Sequence, residues 1–350
     1  MGTITFLLVL SFLVFFHELG HFLAARYFGV KVEVFSIGFG KQIFSKMYRG
    51  TKWQIALIPL GGYVKMKGQD DTKPGLYEEG TDSYNNKKPW QRIVILFAGP
   101  FANFVLAAIL YFIIALAGAN TLSPTVGKVQ ENSPALKAGI KSGDEIIRIN
   151  NTEIKTWEDI GKTIISTEGA LQFYLKRDGE LISKIIRPHI SDTQNMFKEN
   201  IKKRMIGISP APKLVTIYHN PIEALSYAWD KTIESSKMIF LGVQKLIQGI
   251  IPSSEIGGVI TIGKVISDAS ESSIIALLAI TALISVNLGV LNLLPIPALD
   301  GGHIMFNLYE IIARKKPSDK VFVYLTITGW VILASLMLLG IYNDLNRLLG

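Results

Sequence analysis

The chain has 350 residues, of which 49% are hydrophobic, a mean hydropathy of +0.33, a net charge of +8 and no cysteine. That apolar content excludes an ordinary soluble protein, and the lack of cysteine excludes disulfides and every thiolate metal site, leaving His, Asp, Glu or Asn as metal ligands. The basic residues are spread among loops instead of clustering with aromatics, which speaks against nucleic acid as a partner and for membrane topology as the origin of the charge.

The first predicted element is an apolar helix from about Thr3 to Phe28. It has no positively charged start and no A-x-A cleavage site, so it reads as a retained span rather than a signal peptide. It carries HELGH at 17–21. In a helix, His17 and His21 share one face about 6 Å apart along the axis, close enough to hold one zinc ion. Glu18 beside them has the position of a general base. Two imidazoles and a carboxylate in an apolar span are costly unless they face protein or water, so the cluster marks a functional site.

Residues 29–92 follow as a loop. KQIFSKMY and TKWQIALI flank Arg49-Gly50 and read as a hairpin. IPLGGYVKMKG comes next, where Gly61-Gly62 permits a turn or close backbone approach. Residues 68–89 are polar and turn-rich and read as a mobile loop. A second span runs from Ile93 to Gly118 and contains Asn103, a polar residue whose commoner role in a membrane helix is to join helices.

Between this span and the next lies an insert. TVGKVQENSPALKAGIKSGDEIIRINNTEI at 125–154 predicts a strand, a short helix through Ala138, a stop at Gly139, a turn at 142–144 and a second strand. A helix near Thr156–Ser166 and a hairpin around Arg177-Asp178-Gly179 carry the pattern to about Ile190. The insert strongly resembles a PDZ domain of the bacterial protease type. That resemblance implies a peptide groove, placed between Val126–Val129 and the helix, able to take an extended peptide or peptide C-terminus by strand addition. Residues 222–251 have helical periodicity but six charges, and read as an interfacial helix, with packing against the insert as the alternative.

The third span, Ile274 to Pro295, ends in NLLPIPALDGGH at 292–303, and the fourth runs from Val321 to Tyr342. Zinc hydrolases use three protein ligands and leave a fourth position for water. Asp300 is the only carboxylate between Glu271 and Glu310 and follows a stretch broken by Pro295 and Pro297, as backbone lining a cavity at membrane depth would be. It is the best third ligand; a helix cap is the alternative reading, and His303 is a rival expected to lie further from the metal. Lys and Arg flank spans one and two, and fill the loop between spans three and four, so both loops are expected to be cytoplasmic and the insert extracytoplasmic.

HELGH, GFG (38–40), IPLGGYVKM (58–66), AGPFANF (98–104) and N-x-x-P-x-P-x-L-D-G-G-H (292–303), with a PDZ insert between spans two and three, together resemble the site-2 protease family of the bacterial regulator-of-sigma-E type. The enterobacterial form has two PDZ domains, and this chain has length for one. The resemblance implies a mainly α-helical polytopic protein with four spans, a membrane-associated β-hairpin and one PDZ domain. It divides the chain into 1–118, the insert 119–220, an interfacial linker 221–273 and 274–350. It implies Zn2+ held by His17, His21 and Asp300, Glu18 as general base and acid, and Asn292 in contact with substrate backbone. Substrates would be single-pass membrane proteins already shortened outside a bacterial cytoplasmic membrane, such as anti-sigma factors, or signal-peptide remnants, with the insert excluding bulky outer domains. An unwound substrate needs new backbone partners. The hairpin edge at 52–58, with Ile55 and Leu57, or the strand after Gly61 and Gly62, could supply them by strand addition. Two rivals remain: a membrane-tethered protease with its site in an aqueous domain, and a catalytically inactive membrane PDZ scaffold.

Overall fold

The computed structural model describes residues 2–69 and 80–349. Contacts divide the chain into a first unit, residues 1–114 with 221–350, and a second, residues 115–220.

The first unit opens with α1 (Gly2–Tyr27), followed by β1 (Val32–Tyr48) and β2 (Thr51–Met66), joined by Arg49-Gly50 with both φ angles positive, at 47° and 80°. Such a pair is what a two-residue hairpin turn needs to match strand twist. The two long strands fold back into a compact sheet. Residues 34–37 pair with 62–65 on one side and with 52–55 on the other, and 42–48 pair with 51–56. The 52–55 stretch is therefore interior to the sheet, not an edge, which corrects the expected open edge at 52–58 over those four residues. Residues 62–66 have a strand on one side only among the described residues. Most of the expected mobile loop, residues 70–79, lies outside the described residues. The helix α2 (Pro89–Ala117) then carries Pro100 in its interior.

The second unit contains β3 (Ala119–Leu122), β4 (Val126–Val129), α3 (Pro134–Lys137), β5 (Glu145–Ile149), β6 (Thr152–Glu153), α4 (Trp157–Ser166), β7 (Leu171–Arg177), β8 (Glu180–Ile186), β9 (His189–Gln194), β10 (Asn200–Met205), β11 (Ile208–Pro210) and β12 (Leu214–Ile217). The local signals behave as chemistry demands. Thr156 and Asp159 form a reciprocal capping box on α4, and Asp178-Gly179 turns β7 into β8 with positive φ at both positions. Strands β6, β5, β7 and β8 form one sheet in that order. Ile146, Ile149, Leu171, Phe173 and Leu175 from that sheet meet Ile160 and Ile164 of α4 in a buried core. The strands and helices required by the PDZ resemblance are thus all present. Residues after 190 return to the start of the unit: β11 pairs with β4 and β12 with β3. One hydrogen-bonding edge of β4, beside the expected groove at Val126–Val129, therefore already carries a strand of the chain's own.

The first unit resumes with α5 (Pro221–Ile247), α6 (Val259–Ser272), α7 (Ile274–Asn292), α8 (Asp300–Ala313) and α9 (Asp319–Leu349). Four helices, α1, α2, α7 and α9, are long and apolar enough to cross a membrane. α5 buries Ala224, Ala228, Thr232 and Ser235, and its Ser235 hydroxyl lies 3.1 Å from that of Tyr111 on α2. It packs on α2 and α7 within the first unit. At the far end Asp344 of α9 accepts bonds from the amides of Gly258, Ile260 and Thr261, capping α6.

Candidate metal centre

The site begins where α1 and α2 touch. A Cβ at Gly20 would sit 2.1 Å from the carbonyl oxygen of Ala98, so the two backbones meet where glycine leaves no side chain between them, the small-residue contact typical of membrane helices. One residue further along each helix, a Cβ at Gly99 would lie 2.2 Å from His21 Nε2. The ring of His21 fills the space that Gly99 leaves. His21 Nδ1 lies 2.9 Å from the carbonyl oxygen of Ile95, and a carbonyl can only accept. Nδ1 therefore carries the hydrogen, and Nε2 presents a lone pair.

His17 Nε2 lies 3.3 Å from His21 Nε2. Asp300 Oδ2 lies 3.4 Å from each of these nitrogens. Asp300 begins α8, where the preceding Leu299 is the N-cap and makes no side-chain capping bond. Gly301 and Gly302 follow because a Cβ at either would strike carbonyls of residues 293–296, at 2.3 and 2.2 Å. α8 thus starts tight against the Pro-broken segment, and Asp300 is aimed at the histidines instead of capping its own helix. His303 packs its ring against Phe306 and Phe322.

The triangle fits zinc. Bonds of about 2.0–2.1 Å at the tetrahedral angle place neighbouring ligand atoms about 3.3–3.4 Å apart. Asp300 Oδ2 is also buried with no hydrogen-bond partner. A lone pair, a carboxylate oxygen and a second imidazole nitrogen converging at this spacing call for a cation. His17, His21 and Asp300 are the group of potential metal ligands found among the described residues.

The family model for peptidase family M50 matches residues 5–336. The chain is a member of peptidase family M50. It is similar to Campylobacter jejuni Cj1068, provisionally named a zinc metalloprotease, at 47% identity over 98% of this chain and 93% of that one. A Helicobacter pylori protein with the same provisional name is 40% identical, over 98% of each chain. The metalloprotease MmpA of Caulobacter vibrioides is 34% identical, covering 98% of this chain and 95% of MmpA. Among solved structures, the PDZ domain of the SdrC-like protein of Listeria monocytogenes aligns with 25% of this chain and 84% of its own, at 18% identity and a TM-score of 0.20. This M50 peptidase is a zinc metalloprotease, and its apolar helices are those of a membrane protein.

Other residues singled out in the M50 sequence fall around the triangle in different ways. Glu18 is half-buried on α1. A Cβ at Gly62 would lie 2.6 Å from the Ser36 carbonyl, 2.7 Å from Val14 Cγ1 and 3.5 Å from Glu18 Cγ. The glycine therefore lets β2 run directly against α1 beside Glu18. At Gly61 a Cβ would meet the Phe39 ring at 2.3 Å. Ile55 and Leu57 are exposed on β2, and Ile55 pairs with both Ile37 and Phe44. Asn292 is the last residue of α7, half-buried. The sequence reading missed Gly99 and the Arg92–Glu310 pair, 2.6 Å apart and nearly buried, which ties α2 to α8. Gly99 stands in AGPFANF, but only coordinates reveal that its absent side chain makes room for His21.

Proposed function

We propose that this M50 zinc metalloprotease hydrolyses peptide bonds in or near transmembrane segments of single-pass membrane proteins, with His17, His21 and Asp300 as zinc ligands. The reading is carried by the 3.3–3.4 Å triangle of Nε2, Nε2 and Oδ2 built on helices apolar enough to span a bilayer. When bound, zinc supplies Lewis acidity, polarising the scissile carbonyl and lowering the pKa of water to about 7. Glu18 takes a proton from the attacking water as oxygen bonds to the carbonyl carbon. It returns the proton to the amide nitrogen as the C–N bond breaks.

An unwound substrate must find partners for its backbone groups. Residues 62–66 suit that role, being paired on one side only among the described residues and passing Glu18 at Gly62. Ile55 and Leu57 then act as side-chain contacts on the sheet and Asn292 as a backbone contact. The family resemblance supports trimmed anti-sigma factors and signal-peptide remnants as substrates. Basic residues at 87–92 and 314–320 support a bacterial cytoplasmic membrane orientation with the second unit outside, where it admits substrates lacking bulky outer domains.

The test measures zinc content of purified protein alongside cleavage of a model transmembrane substrate by wild type and Glu18→Gln. About one zinc per chain in both proteins, with cleavage only by wild type, is the expected result. Equal cleavage by Glu18→Gln would remove Glu18 from the chemistry, and a zinc-free, inactive wild type would favour a PDZ scaffold.

A further inference from the structure

We infer that Asn103 is a positioning residue for the metal centre, setting the ring orientation and tautomer of His17; the inference rests on the zinc-ligand reading above. His17 turns Nε2 toward His21 and Asp300, so a metal there is held by Nε2 and the hydrogen of the neutral ring belongs on Nδ1. That N–H needs an acceptor. The structure sets the Asn103 amide nitrogen Nδ2 3.1 Å from Nδ1 and leaves its oxygen Oδ1 buried without a hydrogen-bond partner, on a residue that is fully buried. A carboxamide can present either its oxygen or its nitrogen, and turned with the oxygen toward His17 it accepts the Nδ1 hydrogen.

Asn103 is itself held in place. Its backbone carbonyl accepts a bond from the Ser285 hydroxyl of α7 at 2.8 Å. α2 therefore serves both histidines. The Ile95 carbonyl fixes His21, and Asn103, two turns further along α2, fixes His17. Loss of such an outer partner costs about 10–100-fold in metal affinity. A residue that merely glues helices would instead lower stability with or without metal.

The experiment measures zinc affinity by chelator competition, and melting temperature with and without zinc, for the full-length protein in detergent. Asn103→Leu keeps the shape and removes the acceptor; Asn103→Asp keeps an oxygen in the same place. Asn103→Leu is expected to bind zinc about 10–100-fold more weakly while its metal-free melting temperature stays near wild type. Asn103→Asp is expected to stay within a few-fold of wild-type affinity. Equal zinc affinity of wild type and Asn103→Leu overturns the inference, as does equal loss in the Leu and Asp variants. If Asn103→Leu does not accumulate folded, Asn103→Ala against Asn103→Asp carries the same comparison. Failure of wild type to bind zinc overturns the ligand reading itself, a distinct outcome.

Discussion

Replacing Gly99 by alanine adds one carbon, and the structure places it 2.2 Å from His21 Nε2. Unbonded atoms of this kind settle at about 3.5 Å or more, so the ring must retreat by more than about 1 Å. Retreat is not free, because Nδ1 is bonded at 2.9 Å to the Ile95 carbonyl and the residue is buried. A shift of that size is about half of a zinc–nitrogen bond length and removes one of the three proposed ligands. Zinc affinity should fall at least about 100-fold, or about 2.7 kcal/mol. Helix propensity pulls the other way, since alanine favours a helix interior over glycine by about 1 kcal/mol. Weaker zinc binding in a variant whose metal-free form is no less stable is the combination to look for, by chelator competition and thermal melting. A Gly99→Ala protein holding zinc within two- to three-fold of wild type would refute the packing argument and the position of His21.

Further outcomes follow from the same geometry. Asp300→Asn should bind zinc far more weakly while leaving the fold intact, as read by metal content and circular dichroism. Prolines at 63 and 65, compared with proline at 64, separate the outward and inward amides of the 62–66 strand. The set that removes outward donors should block cleavage with zinc retained, and unchanged cleavage by both sets would exclude strand addition there. Glu310→Gln should destabilise the first unit by about 3 kcal/mol, because Arg92 is left buried without its partner; an unchanged melting curve would deny the pair that role. In the second unit burial alone would raise the pKa of Asp144, but the Arg177 guanidinium and the Lys141 amide hold it below the usual carboxylate range. The stability it contributes is complete above about pH 4 and lost as pH falls through the lowered value. Arg177→Met should move that loss to higher pH, measured by limited proteolysis of residues 119–220 in the intact chain.

The four apolar helices, the hairpin turn at Arg49-Gly50 and the capped α4 were legible because each is fixed by neighbours in sequence: hydropathy, two positive-φ positions, a threonine three residues before an aspartate. His17 and His21 were legible for the same reason. Asp300 was reached by elimination, as the lone carboxylate near an irregular apolar stretch, and by the resemblance that its surrounding motif carries. What stayed hidden depends on contacts between distant segments. Strand periodicity at 52–58 says that one face is apolar but not how many strands flank it, and the parallel pairing with 34–37 closes that edge. β11 likewise has no local feature announcing a return to β4 some eighty residues earlier. Gly20, Gly62 and Gly99 are visible as letters, but what each makes room for is a property of the partner segment.

The proposed ligand set unites α1 with α8, whose Asp300 follows His21 by about 280 residues. At translation rates of about 5–20 residues per second, roughly 15–60 s separate emergence of the histidine pair from emergence of the aspartate. Throughout that interval the growing polypeptide holds two of the three proposed ligands. Late completion keeps the proposed centre incomplete until α8 has been made.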